Sequence, residues 1–251
     1  MSPFALPVEI YHAALIFLRV GALVMLLPAI SDAAVPPRVR LGFALMLSLV
    51  LNAVAAPYLP ALPSTVGELG GQVFKELFIG LGLGALLNMM MSALTVCGEI
   101  MSIQTTLAFS QTANPNEAQP GASLTSFLSV TAVALLFATN LDHLFIGAIA
   151  RSYALFPPMK PPAINDAGLV AVKAMSESFT LGLQLAAPVV VFSIVFNVTA
   201  GLIGRLMPQF QIFFAVTPLT VLLGLSVFAL SIGMIGMVWL QRYQSYLAQF
   251  S

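Results

Sequence analysis

The chain has 251 residues, of which 59% are hydrophobic and only 7% charged, with a mean hydropathy of +1.00. Soluble domains average roughly 25% charged residues, so this composition excludes a soluble globule and reads as an all-α, polytopic integral membrane protein. Nine basic and nine acidic side chains cancel, which removes any electrostatic case for binding nucleic acid, and the single Cys97 excludes both an internal disulfide and a cysteine-based metal cluster.

A spanning helix needs about 20 mostly apolar residues, and six stretches qualify. The first covers residues 11–30 and ends at Ser31-Asp32 and Pro36-Pro37. It lacks a basic leader and an Ala-x-Ala cleavage pattern, so it is expected to be a retained helix rather than a signal peptide. The second, 41–58, opens after Arg38 and Arg40 and closes at Pro57, Pro60 and Pro63. The third runs over 74–98 with Lys75 and Glu76 at its start. The fourth is a single long helix over 124–156 that holds Asp142, His143 and Arg151. Pro157, Pro158, Pro161 and Pro162 end it, because proline neither donates to a helix nor tolerates a helical turn behind it. Residues 165–177 read as a short amphipathic lead-in to a fifth helix over 179–206. A sixth covers 212–240, separated from the fifth by Arg205 and the Pro208-Gln209 turn. Basic residues in the connecting segments favour a cytoplasmic C-terminus.

Between the third and fourth helices lies a polar interval, residues 99–121. Thr105, Thr106, Ser110, Gln111, Thr112, Asn114, Asn116 and Gln119 are too many hydrogen-bonding side chains to face lipid, which offers them no partners. Composition leaves two readings. The interval either returns into the protein to line or obstruct an aqueous path, or it is an ordinary surface loop.

Gly80 and Gly84 lie four apart on one face of the third helix, a spacing that lets helix backbones approach closely. Gly224, Gly233 and Gly236 repeat the device in the sixth helix, and Gly201 and Gly204 in the fifth. Met89, Met90 and Met91 point around a helix rather than to one side, so they read as gap-filling packing residues and not as metal ligands. Charges at membrane depth are costly and become functional candidates by default. Most here lie near helix ends, where long stems can snorkel; Arg19, Glu76, Asp142 with His143, and Arg205 lie deeper or at sharper turns. Pairing of Glu76 with an arginine of another helix is expected. A proton relay is not, since Asp142 and His143 are consecutive and face different sides. The chain contains no Walker loop, His-Glu-x-x-His or Gly-x-Ser-x-Gly, so no enzyme activity, cofactor or metal is expected.

Five separated blocks together resemble one family, FliR of the flagellar type III protein export gate, whose injectisome counterpart is SctT. They are Pro36-Pro37-Arg38-Val39-Arg40-Leu41; Lys75-Glu76-Leu77 with Gly80 and Gly84; Gly98-Glu99-Ile100 followed by Gln104, Phe109 and Asn114-Pro115; His143 followed by Ser152 and Phe156-Pro157; and Arg205, Pro208-Gln209, Phe213 and Pro218. The resemblance runs from about residue 10 to 240. It implies a single export-gate domain of hairpin-forming helices, in which residues 1–162 are a FliP-like part and 163–251 a FliQ-like helical hairpin. It also implies assembly with FliP and FliQ in the bacterial inner membrane at the flagellar basal body, next to FlhB-type and FlhA-type components, for the passage of unfolded export substrates. The central loop, with Glu99, Ile103, Gln104, Thr105, Thr106, Phe109, Asn114 and Pro115, would plug the channel. Three departures stand out. The family's Gln-x-Gly is here Gln104-Thr105-Thr106, its Asp-Pro is Asn114-Pro115, and its Asn-Gly-His corner is Asn140-Leu141-Asp142-His143.

Residues 103–115 are therefore expected to occlude a channel at rest and to be displaced by substrate. The competing expectations are a secondary transporter for a small molecule, whose broken helices would surround a binding site, and a structural adaptor that never touches cargo.

Overall fold

The structure, a computed structural model, describes residues 6–31, 35–107, 122–158, 164–207 and 212–248. Among these, all regular structure is helical: α1 (Leu6–Leu26), α2 (Pro37–Ala55), α3 (Val66–Gln104), α4 (Ala122–Ala138), α5 (Leu141–Leu155), α6 (Ile164–Leu206) and α7 (Ile212–Leu247), with a 3-10 turn at Ala56–Tyr58. Among the described residues, five helices are long and apolar enough to cross a membrane, or six if α4 and α5 count as one broken span. The chain is a polytopic membrane protein.

The helix ends follow local chemistry. Proline occupies the first position of α2, where a missing N–H costs nothing. Before α3, the Glu68 backbone N–H donates to Thr65 Oγ1 at 3.3 Å, while Glu68 Oε2 accepts from the Ser64 backbone N–H at 3.0 Å. This is a variant of the capping box, Thr65-x-x-Glu68, and it starts α3 eight residues before the apolar run. The expected fourth helix is two helices. Asn140 adopts φ 55° and ψ 31°, the left-handed region that asparagine visits more readily than most residues, and the chain restarts as α5. The expected lead-in at 165–177 is not separate either; it is the first part of the 43-residue α6, which continues through Pro188. At about 1.5 Å rise per residue, α3, α6 and α7 reach roughly 54 to 65 Å, against about 30 Å of hydrocarbon in a bilayer.

The helices form two compact units. In the first, built from residues 1–90, 139–175 and 244–251, α1 packs on α2 and on the first half of α3. Gly80 meets α1 at Arg19 and Ala22, and Gly84 meets it at Leu23 and Leu26. Contacts that climb both helices together show that α1 and α3 run parallel. In the second unit, 91–138 and 176–243, the second half of α3 packs on α4, α6 and α7. Here Ser92 bonds Ser178, Ala93 touches Gly182 and Gln104 bonds Ser193, so α3 and α6 also run parallel. Phe127 lies edge-on to Phe228, and Leu135 covers Gly236, the same ascending register between α4 and α7.

Candidate functional site

Two polar clusters stand out from the apolar body, one in each unit. The first centres on Arg19, which is fully buried, and Glu76, which is 1% exposed. Arg19 Nε donates to Glu76 Oε2 at 2.6 Å, and Arg19 Nη2 to Glu76 Oε1 at 3.1 Å, a two-pronged pairing that a planar guanidinium suits. The remaining donors turn to the end of α5: Nη1 to the Ser152 carbonyl at 3.0 Å, and Nη2 to the Phe156 carbonyl at 2.9 Å. The Ser152 carbonyl also accepts the Phe156 backbone N–H at 2.9 Å, and both carbonyls lie at a helix C-terminus, where partial negative charge favours a cation. Tyr153 stacks its ring 4.2 Å from the guanidinium carbon. One arginine on α1 thus ties the start of α3 to the end of α5. Beside it, Lys75 Nζ donates to the Pro158 carbonyl.

The second cluster lies where α3 runs into the polar interval. Residues 99–104, expected to begin the loop, instead continue α3 to Gln104; its hydrogen-bond ladder carries the helix past the last apolar run. Glu99 and Ile103 are on the exposed face of this last stretch. Ser193 of α6, 1% exposed, donates from Oγ to Gln104 Oε1 at 2.9 Å and lies 3.2 Å from the Gln104 carbonyl. Asn197 Nδ2 donates to Ser193 Oγ at 3.1 Å, completing a chain of three side chains. Thr105 is buried, returns its hydroxyl to the Met101 carbonyl at 2.8 Å, and seats its methyl over Gly224 of α7. A Cβ on Gly224 would lie 2.6 Å from Thr105 Cγ2, so only glycine admits this contact.

Thr106 follows with φ 59°, a left-handed conformation that costs an L-residue roughly 1 to 2 kcal/mol. A β-branched residue thus stands where the backbone conformation favours glycine. Its hydroxyl is buried with no hydrogen-bond partner among the described residues, and the same holds for Ser102 about one turn earlier in α3.

The other expected site residues fall as follows. Phe109, Asn114 and Pro115, and the Pro208-Gln209 turn, lie outside the described residues. Arg205 is in the last turn of α6, where a cation complements the helix dipole, and it is exposed rather than buried. Gly80 and Gly84 both face α1 at distances no Cβ could share: at Gly80 it would fall on the Arg19 carbonyl oxygen, and at Gly84 it would lie 2.8 Å from Leu26 Cβ. Gly201 and Gly233 meet nothing within 4 Å among the described residues. Gly98 and Gly182, not singled out by spacing, are the tight glycines of the second unit, against Thr125 Cα and the Ala93 carbonyl, both at 2.7 Å from an added Cβ. Ser193 and Asn197 were also missed. Their signal was legible, two polar residues four apart on an otherwise apolar helix face. Among the described residues no three His, Cys, Asp or Glu side chains gather closely enough to hold a metal ion.

Among the described residues, neither cluster sets a nucleophile beside a base. The arrangement offers two helix ends, those of α3 and α5, held by side chains from other helices, with the polar interval starting from one of them.

Comparison with known proteins agrees over the length of the chain. The model of a family described as bacterial export proteins, family 1, matches residues 10–246. The flagellar biosynthetic protein FliR of Caulobacter vibrioides is 49% identical over 251 residues, covering 100% of both chains. FliR of Escherichia coli K12 is 32% identical over 215 residues, 84% of this chain and 80% of the relative. FliR of Pectobacterium carotovorum is 29% identical over 222 residues, 87% and 83% of the two chains. Similarity that begins near the first helix, ends in the last and takes in both polar clusters identifies the chain as belonging to the FliR family of bacterial export proteins.

Proposed function

We propose that this chain is a core subunit of the flagellar protein export gate, assembling in the bacterial inner membrane with FliP- and FliQ-type subunits, and that the polar segment 103–115 closes the channel at rest. Unfolded export substrates displace the segment, and FlhB-type and FlhA-type components stand beside the gate. The FliP-like and FliQ-like division near residue 162 belongs to the same reading.

The observation that carries it is similarity to FliR proteins along the whole chain, with 49% identity and no uncovered region in the relative from Caulobacter vibrioides. The second polar cluster supports it. A segment rich in hydrogen-bonding groups leaves α3 from a fixed point inside the apolar body, and a passing polypeptide of any sequence needs polar, weakly held surroundings. The chain serves as a structural part of the apparatus rather than as an enzyme, with the energy for export supplied from outside it.

Deleting residues 104–115 in the assembled gate is expected to raise resting ion leakage across the membrane while the subunit still co-purifies with its partners. Leakage that stays at the intact level in a complete complex rules out the closing role. The purified chain reconstituted alone is expected to move no small molecule; saturable uptake by it would favour a carrier.

A further inference from the structure

The second half of α3 has two unlike sides. At about 100° per residue, Ala93, Leu94, Cys97 and Met101 share one side, and all four are buried. Ser92, Thr95, Glu99 and Ile103 fall on the opposite side within an arc of about 80°. Glu99 and Ile103 are exposed there, and Ser92 and Thr95 are half-buried. The face is polar where exposed faces of other helices are apolar: α2 exposes Met46, Leu49 and Val50, and α7 exposes Leu219, Leu222 and Leu230. Ser226 on α7 shields its hydroxyl by bonding back to the Leu222 carbonyl at 2.8 Å. Thr95 makes no such bond, and Glu99 has neither a hydrogen bond nor an ion pair among the described residues. From Ser92 to Ile103 the face extends roughly 17 Å along the axis, more than half of a bilayer's hydrocarbon thickness of about 30 Å. Lipid offers nothing to an unpaired carboxylate or an open hydroxyl, and ionisable residues of membrane helices turn instead to water-filled cavities or to partners.

We propose that this face of α3 is one wall of a water-filled path, and that Glu99 makes the path favour cations over anions. Water supplies the partners that Thr95 and Glu99 lack. A fixed carboxylate on a wall of low dielectric raises the local concentration of small cations and lowers that of anions. Identifying the path with the export channel rests on the gate reading above; the hydration and the charge preference rest on α3 alone.

The test is thiol labelling of the assembled complex in lipid nanodiscs, where both membrane sides meet the reagent. Cys97 is fully buried and is expected to stay silent in the otherwise native protein. Thr95→Cys and Glu99→Cys are expected to react with a small, charged methanethiosulfonate, while Leu222→Cys on the apolar face of α7 does not. A maleimide carried on a long polyethylene glycol is expected to react with none of them, because a path admits only the small reagent. In Thr95→Cys, a trimethylammonium reagent is expected to outpace a sulfonate of similar size by more than it does for a free thiol in water. Glu99→Gln in that background is expected to lose the preference, and Glu99→Asp to keep it. Ile103→Cys, on the same face, carries the comparison if Thr95→Cys does not accumulate. No labelling at Thr95→Cys, Glu99→Cys and Ile103→Cys overturns the water-filled path, since lipid or a basic group of a partner then covers the face. Labelling by the polymer-borne maleimide overturns it too, in favour of an open surface, and so does equal labelling at Leu222→Cys. A cation preference that is absent, or that survives Glu99→Gln, overturns the role of Glu99. Failure of the gate reading shows separately, as unchanged leakage when residues 104–115 are deleted while the small reagent still reaches α3.

Discussion

A fully buried arginine is the residue most in need of explanation. Charge away from water is tolerated only when paired and hydrogen-bonded, and Arg19 meets that condition with Glu76 on one side and two α5 carbonyls on the other. The partners are unequal. Removing Glu76 leaves the guanidinium with the Ser152 and Phe156 carbonyls, whereas removing Arg19 strands a buried carboxylate and takes the side-chain donor from the Phe156 carbonyl; the Ser152 carbonyl keeps the Phe156 backbone N–H. Arg19→Met is therefore expected to destabilise the protein by about 3 to 5 kcal/mol, the range for breaking a buried pair, with Glu76→Gln costing clearly less. Arg19→Lys is expected to fall near Arg19→Met, because an ammonium has no fork to divide between carboxylate and carbonyls. Denaturant titration of the purified protein in mild detergent reads all three. Sequence made Arg19 and Glu76 candidates by their depth alone, and the expectation of an arginine for Glu76 left the arginine open. The choice among Arg19, Arg38, Arg40, Arg151, Arg205 and Arg242 depends on which helix lies beside α3, which composition does not encode.

At the scale of the helix, the glycines show how spacing and neighbourhood differ. Gly80, Gly82 and Gly84 form an alternating run, and a rule based on small residues at four-residue spacing selects the first and third. The structure puts backbone and Cβ atoms of α1 against those two, and nothing within 4 Å of Gly82 among the described residues. Gly80→Ala is expected to cost on the order of 2 kcal/mol, as overpacking against backbone that cannot move aside does. Gly82→Ala is expected to be neutral or to stabilise by up to about 1 kcal/mol through helix propensity. The same detergent titration separates them by sign. Element boundaries were less legible than element identities. Thr65-x-x-Glu68 announces the start of α3, yet the apolar run begins later, and the run draws attention away from the cap. Asn140 breaks the expected fourth helix because one residue in a left-handed conformation is enough, and nothing in hydropathy marks it.

For the whole molecule, the balance between buried and exposed apolar surface matters most. In the apolar windows of α6 and α7 only 17% of residues are buried, against 44% in α1. Large apolar side chains stay exposed from Leu169 on α6 to Met207 just beyond its end. That stretch is roughly 57 Å long at 1.5 Å per residue, nearly twice a bilayer's hydrocarbon thickness of about 30 Å. A bilayer's hydrocarbon can cover about half of it. Expressed without the other components of the flagellar export apparatus, the chain is expected to accumulate to a lower steady-state level than in their presence, with α6 cut first by limited proteolysis. Equal levels and equal protease resistance with and without partners would show that lipid suffices.

The sequence by itself determined the class of protein, the number and rough extent of its apolar helices, the polar interval after the third, and membership in the FliR family, because each depends on composition or on local order along the chain. Only the tertiary structure decided which arginine neutralises Glu76, which glycines face a neighbouring helix, that Ser193 holds the end of α3, and that Thr106 carries the left-handed turn. Those facts depend on residues far apart in the chain, as Arg19 and Glu76 or Gln104 and Ser193 are, or on a single backbone dihedral, and the physics that sets them is the packing of one helix against another.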